Sequence, residues 1–258
     1  MSAQQEKFTE IADAIREKTG TTDLIKPSEF VDKVSEVYDA GKQAQYDEFW
    51  DTFQNYGKRT NYQYAFFPGG WSKENFRPKY SIKPVGSITN AFYNNDDASV
   101  HTISMSALEK ELGIEFDFSG VKGNAQYAFR QTIFSDLNVI DLSNATDLTG
   151  TFYSENSTGV SRIERLILNG TYAIYGDTFG KCKHLTYVGF EGTIEVNNLN
   201  LQWSTELERE SLLKLIDCLA DKSADTSGTV WKITLGENIA KLTDDELKQI
   251  KVKGWTYA

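Results

Sequence analysis

A recurring spacing of large apolar residues constrains this chain more than any other feature. Positions zero, three and five of a short run are apolar in Val100/Ile103/Met105, Leu137/Ile140/Leu142, Ile163/Leu166/Leu168, Leu185/Val188/Phe190 and Val230/Ile233/Leu235. Ala or Thr followed by Phe precedes the first four, as Ala91-Phe92, Ala128-Phe129, Thr151-Phe152 and Thr178-Phe179. An incomplete copy stands at IEFDFSG, 114–120, where Phe116 and Phe118 fit and Gly113 takes the first slot. Side chains alternate between the faces of a strand, so the second and third apolar residues of each run share one face. The first can then sit at the bend entering the strand, and the upstream Phe can close the opposite side of the unit.

Successive complete runs start 37, 26, 22 and 45 residues apart, and the 37 divides into 13 and 24 when the incomplete copy is included. Spacings in the twenties are the period of a leucine-rich repeat, in which a unit cannot bury its apolar face alone and stacks on its neighbours. The pattern predicts an α+β protein: a leucine-rich-repeat-like solenoid of short parallel strands over 86–258, with a C-terminal helical cap. An N-terminal helical segment is expected over 1–56 and an aromatic, turn-rich cap over 57–85. The competing architecture is an antiparallel sandwich, which leaves the Ala/Thr-Phe element without a purpose.

The two ends carry helical periodicity. Phe8, Ile11, Ala12 and Ile15 follow the i, i+3, i+4, i+7 rule, with Gly20 placed to stop the helix, and a second start at Pro27-Ser28 leads into a Phe30/Val34/Val37 stripe. That stripe packs on the first helix or on copies of itself, which makes it the expected route to a homo-oligomer. Near the other end, Leu212, Leu215, Ile216 and Leu219 form a helical stripe behind a Thr205/Glu208 capping box. A final capped turn is expected from LTDDEL. Between the N-terminal helices and the repeats, residues 46–80 hold 12 aromatics in 35 positions. That density suits a plug over apolar edges, or a platform on which sugar rings stack.

Charge and motif content narrow the function. A formal net charge of −10 without a Lys/Arg cluster disfavours nucleic acid and anionic membrane surfaces as partners. No apolar run is long enough to span a membrane, and the polar opening MSAQQEKFTE lacks the regions of a secretory signal. Cys182 and Cys218 are expected to be free thiols. His101 and His184 are the only histidines, and Cys182-Lys183-His184 lacks the spaced partners of a zinc site. GDTFGKC, 176–182, has three residues between its glycines and Cys where a phosphate loop needs Ser or Thr, so it reads as a turn. No catalytic residue, metal or cofactor is expected.

The strand and Phe pattern resembles the BspA-type leucine-rich repeat. FTEIADAIREKTGTTDLIKPSEFVDKV at 8–34 and LTDDELKQIKVKGWTYA at 242–258 look like the ends of proteins encoded in tail-gene regions of phages and prophages of Gram-positive gut bacteria. YDEFWDTFQNYGKRTNYQYAF at 46–66 is similar to the central region of the same group. The resemblance spans nearly the whole chain and implies a non-enzymatic, virion-associated protein on a tail or baseplate that contacts a bacterial surface protein or glycan. An alternative is a phage-encoded protein in the host cytoplasm that binds and blocks a host factor, for which an acidic surface is a suitable decoy. An accessory of a cell-wall hydrolase is a third.

Strand alternation also predicts where a partner would sit. Residues pointing away from the core should form two ladders on one face: Thr102, Val139, Arg165, Tyr187 and Lys232, and beside them Ser104, Asp141, Ile167, Gly189 and Thr234. The expected binding residues are Thr102, Val139, Asp141, Arg165, Ile167, Tyr187 and Lys232, centred on the aromatic, cationic and apolar trio Tyr187, Arg165 and Ile167.

Overall fold

A computed structural model describes residues 13–18, 62, 65–66, 76–93, 103–155, 159–168, 176–195 and 197–258. The chain divides into two compact units, Met1–Tyr56 and Gly57–Ala258. In the first, residues 13–18 are helical, with an Arg16–Asp13 ion pair one turn apart. The second heptad-like stripe, Phe30/Val34/Val37, lies outside the described residues.

In the second unit the apolar runs become parallel strands. Strands β1 (Ile103–Ser104), β3 (Phe134–Asp141), β5 (Arg162–Leu168) and β6 (Tyr187–Gly192) form a four-stranded sheet in that order. Leu137 stands opposite Ile163 and Ile140 opposite Leu166, and all four side chains are fully buried. Helix α1 (Met105–Leu112) follows β1 directly; the Ser104 hydroxyl accepts from the Ala107 amide at its start, and Gly113 ends it at φ 66°. A two-stranded parallel sheet pairs β2 (Gly123–Asn124) with β4 (Ala145–Asp147).

The Ala/Thr-Phe pairs lie in turns that stack one on the next. The Phe66 amide donates to Ala91 O, Phe92 to Ala128 O, Phe129 to Thr151 O and Phe152 to Thr178 O, at 2.8–3.0 Å. Their rings form a column, with centroids 4.9 Å apart for Phe66–Phe92, 5.1 Å for Phe92–Phe129, 5.7 Å for Phe129–Phe152 and 5.3 Å for Phe152–Phe179. These steps equal or slightly exceed the 4.7–4.9 Å between hydrogen-bonded strands, so one backbone ladder sets the stacking of the rings. Thr replaces Ala where a buried hydroxyl has work: Thr151 Oγ1 donates to Ala125 O and Leu148 O, and Thr178 Oγ1 to Leu148 O. The core fills the space between this column and the sheet, with Phe92 5.7 Å from Phe134 of β3 and Phe179 6.0 Å from Phe190 of β6.

The expected α+β leucine-rich-repeat solenoid is corrected here. The described chain is α/β, with its parallel strands divided among small sheets of four, two and three strands. The four-stranded sheet stops at β6 because helix α2 (Arg209–Cys218) takes the position of a next strand. The Val188 amide donates to the Ser211 hydroxyl at 2.8 Å, and the Glu208 amide donates to Thr186 O at 2.7 Å. A helix terminus thus satisfies edge groups that another strand would have used. The Val230/Ile233/Leu235 run falls in a separate sheet, where β8 (Trp231–Thr234) lies between β7 (Leu199–Asn200) and β9 (Trp255–Tyr257). Val230 is 67% exposed, so its slot is not filled as in the other runs. The incomplete copy does not enter the main sheet either; Phe116 bridges to Ile82.

The end of the chain is therefore a small parallel sheet with helices, and not a helical cap alone. Helix α2 buries Leu212, Leu215 and Ile216, as its stripe predicts, but it starts at Arg209 with Glu208 as an N-cap that makes no side-chain bond. The Thr205/Glu208 capping box does not form. A complete capping box occurs instead at α3 (Asp244–Val252), between Thr243 and Glu246.

Candidate functional site

The residues expected to form one binding face are only partly brought together. Val139 stands opposite Arg165 and Asp141 opposite Ile167 across the β3–β5 pairing. In the β5–β6 pairing the two apolar runs are not aligned slot for slot: Ile163 stands opposite Val188, and Tyr187 opposite Arg162 instead of Arg165. Tyr187 is only 7% exposed, and the Arg162 guanidinium lies 3.9 Å over its ring. Arg165 turns to Glu191 in a two-pronged ion pair, both bonds 2.8 Å, which raises the guanidinium's affinity for its proton and holds the Glu191 carboxyl below its ordinary range. Lys232 lies in the third sheet opposite Thr256, and Thr102 lies outside the described residues.

Val139, Asp141 and Ile167 line one wall of a cleft of about 240 Å³, whose other wall comes from α1 and the 115–119 loop. Its polar groups are largely committed to the fold. Glu109 accepts from the Phe116 amide at 2.9 Å and from Asn138 Nδ2 at 2.7 Å. Asp117 accepts from the Ser119 hydroxyl and amide, which hold its carboxyl below the ordinary range. Asp141 caps the Ser143 amide at 2.9 Å. Among the described residues no group of three or more His, Cys, Asp or Glu could hold a metal, and no helix is long and apolar enough to cross a membrane.

A second surface, on the stacked turns, was not singled out by strand alternation. Tyr127 and Tyr153 lay their rings against the backbone of the following rung: a Cβ on Gly150 would meet the Tyr127 ring at 2.2 Å, and one on Gly180 the Tyr153 ring at 2.5 Å. Gly150 also has φ 59°, so two separate constraints favour glycine there. The Arg130 guanidinium lies 4.9 Å from the Tyr93 ring and 5.3 Å from those of Tyr127 and Tyr153, with Glu155 as its ion-pair partner. Lys181 continues the row, its ammonium 5.6 Å from the Tyr153 ring.

The row leads into an open cleft of about 350 Å³ lined by Lys181, Lys183, Trp203, Thr205 and Glu237. Lys181 and Lys183 flank Cys182, whose thiol is buried and donates to Phe152 O; burial pushes its pKa up, so it packs as an inert side chain. Alternation about that anchor sends both lysines to solvent. Trp203, in the turn after β7, is 50% exposed. The cue in the sequence was a large ring in a polar setting, NLNLQWSTE at 198–206, where Leu199 and Leu201 are buried and the indole between Gln202 and Ser204 has no apolar stripe to join. No protein-family profile, curated protein or solved structure matches the chain.

Proposed function

We propose that the chain is a non-enzymatic binding protein of a phage tail or baseplate that contacts a surface protein or glycan of a bacterial host. The observation that carries this reading is the row of Tyr93, Tyr127, Arg130, Tyr153 and Lys181 leading to the half-exposed Trp203. Tyr, Trp and Arg are the residues most enriched where interfaces concentrate their binding energy. Rings held by stacked backbone rungs lose little freedom on binding, which favours affinity. The resemblance of the two termini to tail-region proteins supplies the biological setting.

Mass spectrometry of purified virions and binding of the labelled full chain to host cells test the reading together. The chain is expected in the virion, and the purified protein on the cells; absence from both would end the proposal. The acidic cleft of Glu109, Glu115, Asp117 and Asp141 favours a second reading, an inhibitor of a host protein inside the cell. A chain missing from virions but recovered with one host protein from infected cells would select that one.

A further inference from the structure

The cleft at Trp203 has the composition of a subsite for a single sugar ring that carries an acidic group. An exposed indole offers a flat apolar face, on which the C–H face of a pyranose packs. Lys181 and Lys183 supply two ammonium groups at the opening, that of Lys181 also hydrogen-bonded to Tyr153. Thr205 and Glu237 add a hydroxyl and a carboxylate at the same opening. A volume of about 350 Å³ admits one ring and leaves its neighbours in a chain free to extend into solvent.

The turn that presents Trp203 is held from beneath by a buried polar network. Asn238, fully buried, donates through Nδ2 to Leu201 O at 3.2 Å, Ser204 O at 3.2 Å and Leu235 O at 3.1 Å. The Lys241 ammonium donates to Thr205 O at 2.7 Å, Leu207 O at 2.6 Å and Asn238 Oδ1 at 3.0 Å. Four carbonyls of residues 201–207 are thus fixed by two side chains from the 3₁₀ turn Gly236–Lys241, which also carries Glu237. The indole is therefore held in water by a rigid loop and does not collapse onto the surface. On the facing wall, buried Cys182 anchors the backbone between the two lysines through its bond to Phe152 O. Such preorganisation lowers the ordering cost of binding a small, well-hydrated ligand.

We propose that this cleft binds a pyranose bearing a carboxylate or a phosphate: the ring on Trp203, the anion toward Lys181 and Lys183, and ring hydroxyls toward Thr205 and Glu237. The proposal rests on the surface-binding reading above and names the ligand class for it. The paired ammonium groups decide for an acidic sugar over a neutral one, because charge-assisted hydrogen bonds to both are available only to an anion.

Galacturonate, glucose 6-phosphate and glucose are titrated into the ¹⁵N-labelled full chain while the Trp203 indole N–H resonance is followed, assigned by its loss in Trp203→Phe. The expected result is a saturable shift with at least one acidic sugar, about tenfold tighter than with glucose; which acid prevails distinguishes carboxylate from phosphate. Lys181→Met/Lys183→Met should abolish the preference for the acid, and Trp203→Ala, followed through the backbone amide resonances of Thr205 and Glu237 because the indole probe is gone, should abolish binding of all three. Absence of any shift, equal binding of glucose, or an acid preference that survives loss of both lysines would overturn the proposal. Host-cell binding by the same variants separates the two levels: cells bound equally by wild type and Trp203→Ala refute this subsite alone, and cells bound by neither refute the wider reading.

Discussion

Replacing Phe129 by Ala tests the stacked core at its centre. The ring is 1% exposed and lies between Phe92 at 5.1 Å and Phe152 at 5.7 Å, with Phe118 edge-on at 5.4 Å. A buried Phe side chain removes on the order of 150–250 Å² from water, which at about 25 cal/mol per Å² corresponds to roughly 4–6 kcal/mol of transfer for the whole residue. Ala retains part of that, and the Phe129 amide keeps its bond to Thr151 O whatever the side chain. The neighbouring rings cannot slide into the space, because each is tied to its rung by a backbone hydrogen bond, so a cavity persists. The expected loss is about 3–5 kcal/mol, read as a lower urea midpoint at unchanged slope for the full chain. Phe129→Leu should recover most of it. A loss below about 1.5 kcal/mol for Ala would refute the closed ring column, since only a site able to collapse or flood behaves so.

Ile140→Ala or Leu166→Ala, both residues fully buried on adjacent strands, should each cost about 2–5 kcal/mol in the same assay. Ser211→Ala leaves the Val188 amide without its acceptor at the end of the sheet; a loss of about 1–3 kcal/mol and faster exchange of that amide are expected. Glu246 is held below the ordinary value of 4.5, first by the Thr243 amide, so its contribution to stability is complete above that pH and lost as pH falls through the lower folded value. Glu246→Gln should flatten that acidic limb of a thermal-melting series. A thiol reagent applied to the native protein should label half-buried Cys218 and spare Cys182 until the chain is unfolded.

What the sequence determined by itself is local. A strand alternates, so the slots of Leu137/Ile140/Leu142, Ile163/Leu166/Leu168 and Leu185/Val188/Phe190 were legible, and each of these side chains is buried. The Ala/Thr-Phe pair was legible for the same reason, as a small residue and a ring repeated at one place in successive turns. The stripe of α2 could be read from its helical period, but not its first residue: the Glu208 amide, which the Thr205 hydroxyl would have capped, donates instead to Thr186 O, and the Thr205/Glu208 box is lost. Tertiary structure also decided where the sheet ends, since Ser211 reaches the β6 edge only because the helix packs there. The pairing frame of β5 and β6, with Ile163 opposite Val188, set Tyr187 beside Arg162 as a buried ring where a surface contact beside Arg165 was expected. The surface that carries the proposed function lay in the turns, whose side chains follow no strand or helix period. Lys181 and Lys183 meet Trp203 because the bond from the Glu208 amide to Thr186 O and the contact of His184 with Glu206 lay segments some twenty residues apart side by side, a proximity that linear spacing does not encode.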